Sequence, residues 1–145
     1  MAAPRSALTD AEIAACHPVM VQLRPHIPAE GFVEHIRRQM GGGYELAFVE
    51  HDGVAVAVAG FRELENLAWG RFVYVDDLVT DGRHRSAGYG SMLLEWLLGV
   101  ARSRDCDALH LDSGVQRFDA HRFYLAHRMR ISSHHFEIRV KTIDV

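Results

Sequence analysis

A glycine-containing segment, Arg85-Ser86-Ala87-Gly88-Tyr89-Gly90, has the residue types best suited to hold an anion. It follows a strand-like run, residues 72–80, and opens an apolar pattern with helical spacing. Such a strand-to-helix turn places free backbone N–H groups at the positive end of a helix dipole, where a phosphate can bind. Gly88 and Gly90 allow close approach because they have no Cβ. The segment therefore predicts a site for a phosphate-bearing ligand, with Arg85 adding positive charge at its entrance.

Two better-known phosphate motifs do not fit this segment. A dinucleotide fingerprint needs a third glycine, but Leu93 stands at that position. A nucleotide P-loop needs a Gly-Lys-Ser/Thr triplet, and none follows. From the pattern alone, the remaining alternative is an empty turn whose glycines serve packing.

The helices and strands that must position this segment follow from hydrophobic spacing and turn residues. Helical spacing predicts helices at about residues 11–23, 29–40, 88–104 and 120–127. Thr9 and Asp10 are N-cap candidates for the first helix, and Asp119 is one for the last. Apolar runs predict strands at about residues 44–50, 54–63, 69–80 and 108–112, and one or two more within 129–143. Residues 1–7 are either a loose arm or a short edge strand.

This order of elements predicts an α+β fold with mixed α/β layers. Hairpins join the first three strands, with Asp52-Gly53 as the strongest turn signal. The long helix then crosses over to the strand at 108–112, which we expect to lie parallel to the strand before the helix. No Pro/Gly/Ser linker divides the chain, so residues 1–145 are expected to form a single domain.

The composition narrows the classes of function. Of the 145 residues, 48% are apolar and 24% are charged, and the formal net charge of −3 argues against a nucleic-acid partner. The chain shows no signal peptide, and its longest apolar run, residues 54–61, is too short to cross a membrane. Its two cysteines make no disulfide framework. We therefore expect a cytoplasmic protein without a membrane partner.

Ten histidines raise the question of a metal site. The chain has neither H-E-x-x-H spacing nor a C-x-x-C pair. His134 and His135 are adjacent in a predicted strand, so their side chains should point to opposite faces. The sequence therefore predicts no metal cofactor.

With R-x-x-G-x-G at its strand-to-helix turn, this order of elements resembles the GNAT superfamily of acetyl-CoA-dependent N-acetyltransferases. The most specific part is Asp77-Leu78-Val79-Thr80 followed by the segment 85–90. Phe123-Tyr124, on the helix after the next strand, is a second feature of the family. The resemblance covers roughly residues 9–136. It implies a mostly antiparallel central sheet with one parallel, splayed strand pair and helices on both faces.

The resemblance also implies roles for the matched positions. Backbone N–H groups of the turn would bind the pyrophosphate of acetyl-CoA, and the strand before it would hydrogen-bond the pantetheine arm. In the family that strand carries a bulge, and bulges commonly lie beside active sites. Tyr124 matches the tyrosine that often protonates the departing CoA thiolate. The implied cofactor-binding residues are Leu78, Val79, Thr80, Arg85, Ser86, Ala87, Gly88, Tyr89, Gly90 and Ser91.

Amide formation from a thioester needs a neutral amine, stabilisation of an oxyanion and an acid for the thiolate. A backbone N–H near Leu78 is placed for the oxyanion. Asp76 and Asp77 are candidates to take the proton of the amine, directly or through water. Adjacent residues on a regular strand face opposite sides, so only one should reach the cleft unless a bulge intervenes. Asp77 is favoured because it immediately precedes the stretch implied to bind pantetheine.

Three departures from the family pattern bear on function. Arg128 stands where a glycine often follows the helix, Arg117 stands where an asparagine is common, and the first strand is either truncated or absent. They leave open a non-catalytic domain that binds acyl-CoA as a sensor or docking element. A phosphate or nucleic-acid module that uses Arg83, His84 and Arg85 is a weaker alternative, against which the acidic balance speaks.

We expect an enzyme whose acceptor is a primary amine, either of a small molecule or of a peptide N-terminus. Direct attack in a ternary complex is the expected mechanism. Because many relatives are dimers, the resemblance also allows a homodimer.

Overall fold

The computed structural model describes residues 3–141, which form a five-stranded sheet in the order β1-β2-β3-β4-β5, with four α-helices. The strands are β1 (Arg5–Ser6), β2 (Glu45–His51), β3 (Val54–Asn66), β4 (Gly70–Thr80) and β5 (Ala108–Leu111). The helices are α1 (Asp10–Leu23), α2 (Phe32–Gly41), α3 (Tyr89–Ser103) and α4 (Phe118–Ala126), and a short 3-10 turn covers Gly82–His84.

The sheet is antiparallel from β1 to β4, whereas β4 and β5 are parallel. This confirms the predicted α+β class and the parallel pair around the long helix α3. Pairing between β4 and β5 runs from Phe72–Ala108 to Val75–Leu111. β4 then continues to Thr80, still paired with β3. The last part of β4 therefore extends beyond its pairing with β5. These two strands are the splayed pair that the resemblance implied.

The two faces of the sheet carry separate hydrophobic cores because successive strand residues point to opposite sides. Leu46 and Phe48 of β2 face α1 and α2, and Ala47 and Val49 face α3. Buried helix residues on the first side are Ile13, Cys16, Val19, Met20, Phe32 and Ile36, and on the second side Leu93, Leu97 and Ala101. The helices thus cover both faces and fix the sheet between them.

The start of α1 confirms Thr9 as the N-cap, whereas Asp10 is already the first helical residue. The Thr9 hydroxyl accepts from the Glu12 amide at 3.1 Å, and the Glu12 carboxylate accepts from the Thr9 amide at 3.0 Å. This capping box satisfies two helix donors reciprocally. Just before it, β1 is a two-residue edge strand, so the first strand is truncated but present.

The described chain falls into two compact units, one ending at Leu111 and the other starting at Asp112. In the second unit α4 begins at Phe118 with Arg117 as its N-cap, so the prediction of Asp119 as the cap is wrong. Asp119 lies in the first turn, where a carboxylate still favours the helix dipole. Arg128, at the family's glycine position, has a φ of 66°, the left-handed conformation that glycine adopts without strain.

The prediction of one or two strands within 129–143 is wrong for residues 129–141, and the remainder lies outside the described residues. An extended segment becomes a strand only when its backbone pairs with a neighbour. Here the strand-like alternation exists, but Phe136, Ile138 and Val140 remain exposed. His134 and His135 accordingly lie outside any strand.

Candidate active site

The segment 85–90 forms the expected turn between β4 and α3. Ser86 and Gly88 have φ values of 73° and 87°, so two residues in the left-handed conformation are separated by one that is not. Such an alternation gathers backbone N–H groups into an anion-binding concavity. Gly88 is the N-cap of α3 and offers no side-chain acceptor to the amides of Tyr89 and Gly90. A Cβ added at Gly88 would meet no atom within 4 Å. The space in front of the helix start is therefore open to a ligand.

Asp81 and Gln22 anchor the beginning of this loop. Gln22 on α1 accepts from the Gly82 amide at 2.9 Å and donates to Asp81 at 3.3 Å. Asp81 is 4% exposed and accepts from the backbone and the guanidinium of Arg83, both at 3.1 Å. The Arg83 hydrogen bonds lower the pKa of Asp81 to about 2. Sequence reasoning missed both anchors, although an Asp before a glycine is a recognisable turn signal.

The hairpin between β2 and β3 contacts the same loop. Asp52 and Gly53 have φ values of 53° and 77°, which confirms the predicted tight turn. The Tyr89 hydroxyl and Nδ1 of His51 share a hydrogen bond of 3.0 Å, and the His51 and His84 rings lie 5.6 Å apart. The hairpin thus steadies the first helical residue after Gly88.

The splayed part of β4 presents backbone groups on its open side. The Asp81 amide donates to the Val56 carbonyl at 2.7 Å, so these two residues form a hydrogen-bonded pair. Such pairs alternate with non-bonded pairs in an antiparallel ladder. Val79 therefore directs its N–H and C=O toward β3, whereas Leu78 and Thr80 direct theirs to the opposite side. β5 does not cover that side, because its pairing with β4 ends earlier in the strand.

A β-bulge in β4 decides how the two adjacent carboxylates face. Gly60 of β3 pairs with Asp77, but the next residue, Phe61, pairs with Val75, so Asp76 is the extra residue. The bulge breaks the strict alternation of the strand. Both Asp76 and Asp77 consequently line one cavity, where a regular strand would have allowed only one.

Asp77 is held on both of its oxygens. Arg24 Nε donates to Oδ1 at 2.8 Å, and the Tyr44 hydroxyl donates to Oδ2 at 2.8 Å. Burial, followed by the nearby negative charge of Asp77, raises the pKa of Tyr44. A Cβ at Gly60 would overlap the end of the Tyr44 ring and lie 2.7 Å from Oδ2 of Asp77. The glycine is therefore needed for the close approach of Tyr44 to Asp77.

Asp76 has a different environment. Arg62 Nε donates to Oδ2 at 3.0 Å, while the buried Oδ1 has no hydrogen-bond partner among the described residues. Burial raises the pKa of Asp76, and the hydrogen bond and charge of Arg62 oppose that rise. Of the two carboxylates, Asp76 thus has the one oxygen without a hydrogen-bond partner among the described residues, and that oxygen is buried.

The cavity in front of these carboxylates has a volume of about 220 Å³ and lies between α1, α2 and the sheet. Its wall combines apolar, aromatic and charged side chains. They are Met20, Arg24, His26, Ile27, Phe32, His35, Ile36, Gln39, Tyr44, Arg62, Asp76 and Asp77. Sequence reasoning found only the two aspartates of this set, because the other residues reach the cavity from distant parts of the chain.

Tyr124 belongs to the second compact unit, whereas Asp76, Asp77 and the loop belong to the first. It lies on α4 beside Phe123, with ring centroids 5.5 Å apart. Burial raises the pKa of the Tyr124 phenol, and the charge of Arg117 opposes this only in part. The hydroxyl therefore carries its proton at neutral pH, as a general acid must.

The described residues offer no sign of a metal site or of a membrane-spanning helix. Residues 3–141 contain no cluster of three or more His, Cys, Asp or Glu side chains that could hold a metal ion. Within the same range, no helix has the length and apolar character needed to span a membrane.

Comparisons with known proteins identify the family of this chain. The family model for the acetyltransferase (GNAT) family matches residues 13–128. An uncharacterized N-acetyltransferase of Bacillus subtilis (strain 168), YhdJ, is 32% identical over 114 residues, which cover 78% of this chain and 80% of the relative.

Two solved structures illustrate the shared fold. AAC(6')-Iy, in complex with the bisubstrate analog CoA-S-monomethyl-acetylneamine, has a TM-score of 0.84 at 12% identity and covers 98% of this chain and 99% of its own. Ribosomal-protein-alanine N-acetyltransferase from Brucella melitensis biovar Abortus 2308 has a TM-score of 0.80 at 20% identity. The match covers 94% of this chain and 98% of that enzyme. Identities this low show the shared fold alone, whereas the family model extends over most of the sequence. On that match, the chain belongs to the GNAT acetyltransferase family.

Proposed function

We propose that this protein transfers the acetyl group of acetyl-CoA to a primary amine. The observation that carries the proposal is the course of β4, which leaves β5 at Val75 and leads into the turn at Gly88. Outward backbone groups of Leu78 and Thr80 suit the amides of a pantetheine arm, and the helix start suits its pyrophosphate. A Cβ at Gly88 would meet no atom within 4 Å, so no side chain or backbone atom crowds the start of this helix.

In the proposed reaction the amine nitrogen attacks the thioester carbonyl, the C–N bond forms and the C–S bond then breaks. The N–H of Leu78, on the open side of β4, supports the oxyanion. Donors of this kind are worth roughly 2.7–4 kcal/mol in enzymes from which one has been removed. Attack occurs in a ternary complex without an acetylated enzyme. The bisubstrate analog bound by the AAC(6')-Iy neighbour is in keeping with such a complex.

We assign proton removal from the amine to Asp76 in preference to Asp77. Both oxygens of Asp77 already accept hydrogen bonds, whereas Oδ1 of Asp76 has none from the described residues. A raised pKa also makes the Asp76 carboxylate a stronger base than an ordinary aspartate. Tyr124 gives its proton to the departing thiolate. The role of Asp76 is assigned from hydrogen bonding. The role of Tyr124 is assigned from the family motif and from its protonated phenol.

The acceptor is either a small-molecule amine or a peptide N-terminus. The ribosomal-protein-alanine N-acetyltransferase among the structural neighbours is a reason to test peptide N-termini as acceptors. We propose that the whole chain, residues 1–145, works as one transferase domain in the cytoplasm. Cys16 and Cys106 are free thiols, as expected of a reducing compartment.

Calorimetry and thiol release together test the proposal. Titration of CoA should give saturable heat, and acetyl-CoA should release thiol when amines are added. No heat from a folded sample at low ionic strength would overturn the cofactor site. Heat without thiol release across a broad amine panel would indicate the non-catalytic acyl-CoA sensor instead. A burst of acetylated enzyme before amine addition would contradict direct attack.

Replacing Tyr124 by Phe tests the acid separately. We expect kcat to fall by about 10²–10⁴-fold, because general acid help typically contributes that much. The CoA dissociation constant should change little, since the phenol acts on the thiolate and not on the pyrophosphate. Phe123→Leu is the matched control on the same helix. Unchanged turnover by Tyr124→Phe would remove the assigned role.

A further inference from the structure

The cavity beside the bulge contains two positive and two negative side chains. Arg24 is paired with Asp77, and Arg62 with Asp76, at 2.8 and 3.0 Å. At neutral pH these four charges balance within a space of about 220 Å³. A ligand that carries one positive and one negative charge keeps this balance, whereas a ligand with charge of one sign only adds an uncompensated charge to the cavity.

Both arginines keep donors for a ligand. Arg24 uses Nε for Asp77 and Nη2 for the Asp76 carbonyl, at 2.8 and 2.9 Å. Arg62 uses Nε for Asp76 and Nη2 for Gln39, at 3.0 and 2.7 Å. A guanidinium has more N–H donors than these, and its planar geometry matches carboxylate or phosphate oxygens. The Nη1 groups of Arg24 and Arg62 donate to none of the described residues. Neither nitrogen is buried, so both remain accessible.

We propose that this cavity selects an amine that carries an anionic group within a few bonds of its nitrogen. The ammonium form is drawn to the Asp76–Asp77 side, and the anion is bound by the spare donors of Arg24 and Arg62. An amino acid carboxylate and an aminophosphonate share this chemistry. The inference rests on the proposed acetyl transfer and adds the class of acceptor to it.

The remaining wall limits the size of the acceptor. Ligand pockets for drug-sized molecules measure about 300–1,000 Å³, and this cavity is smaller. Its apolar lining, Met20, Ile27, Phe32 and Ile36, can pack against a short hydrocarbon part. Long polyamines fit poorly, because the cavity is small and the two arginines in its wall repel further ammonium groups.

The test compares matched acceptors by thiol release from acetyl-CoA. The panel contains α-amino acids, their methyl esters, aminoethylphosphonate, a dipeptide amide and spermidine. We expect kcat/KM for an acid-bearing amine to exceed that of its ester by about tenfold or more, the usual value of a charge-assisted hydrogen bond. A preference for carboxylate or for phosphonate distinguishes the two sources of the anion. Equal turnover of acid and ester, or a preference for spermidine or the dipeptide amide, would overturn the inference while leaving acetyl transfer intact.

Substitution of Arg24 by Gln links the preference to the cavity. KM for the acid-bearing amine should rise about tenfold or more, and KM for the ester should change little. Arg37→Gln is the control, because Arg37 pairs with Asp10 outside the cavity at 2.8 Å. If no amine releases thiol, the proposed function fails, and the same compounds are then titrated into the CoA complex. Acid-specific binding that Arg24→Gln abolishes would still support the cavity assignment, and its absence would end it.

Discussion

Neighbouring carboxyl groups in β4 have unlike surroundings, and this difference should appear in the pH profile. Asp77 accepts from Arg24 and Tyr44, whereas burial raises the pKa of Asp76. A base works only in its deprotonated form, so kcat should rise with pH through the elevated pKa of Asp76. Asp76→Asn should lower kcat by about 10²-fold or more and remove this limb.

Substitution of Asp77 provides the comparison for Asp76→Asn. Asp77→Asn should keep the rise of kcat on the acid side of the pH profile, the acid limb, because the variant retains Asp76. Its main effect should be to disturb Tyr44 and Arg24. Arg62→Gln should move the limb to higher pH, since the Arg62 hydrogen bond lowers the pKa of Asp76. A limb that persists in Asp76→Asn and vanishes in Asp77→Asn would transfer the role to Asp77.

At the scale of single elements, a glycine of β3 opposite the bulge in β4 leaves room for Tyr44 beside Asp77. Gly60→Ala would place a methyl group on the Tyr44 ring end next to Asp77. Overpacking of this kind typically costs about 1–3 kcal/mol, so the free energy of unfolding measured in urea should fall by that amount. Activity should fall as well, because Tyr44 must leave Asp77.

A second glycine gives the matched control. Gly99 lies within α3, and a Cβ there meets no atom within 4 Å. Gly99→Ala should therefore raise stability by about 0.5–1 kcal/mol, the usual difference in a helix interior. Equal effects of the two substitutions would contradict the steric account of Gly60.

The loop between β4 and α3 should be sensitive to acid. The native pKa of Asp81 is about 2, below the unfolded value, so the unfolded chain binds this proton first. The stabilisation from Asp81 is therefore complete above about pH 4 and is lost as the pH falls toward 2. In Asp81→Asn, urea unfolding between pH 2 and pH 5 should show a shallower dependence on pH, and CoA should bind more weakly. Asp119→Asn, at an exposed helix position, should leave both quantities unchanged.

Across the whole molecule, features set by neighbouring residues could be predicted from the sequence. The capping box at Thr9, the Asp52-Gly53 hairpin and the turn at Gly88 each depend on a few adjacent positions. The splay of β4 from β5 came from the family resemblance and is confirmed.

Features set by distant residues could not be predicted. Arg24 lies 53 positions before Asp77, and Tyr44 lies 33 positions before it, so no local pattern joins them. The bulge also changes which side Asp76 faces, and it lies opposite Gly60 and Phe61 of the facing strand. Strand pattern alone overpredicted structure after residue 128, because alternation does not supply a pairing partner.

The end of α1 touches two places that a reaction would use in turn. Gln22 contacts Asp81 and Gly82 at the base of the turn, and Arg24, two positions later, contacts Asp77 in the cavity. A ligand that tightens one contact alters the free energy of making the other, and this thermodynamic linkage is reciprocal. The amine should accordingly bind more tightly once the nucleotide end of CoA is seated. Binding measurements should then show that acetyl-CoA and the amine each lower the dissociation constant of the other by the same factor, and Gln22→Ala should reduce that factor.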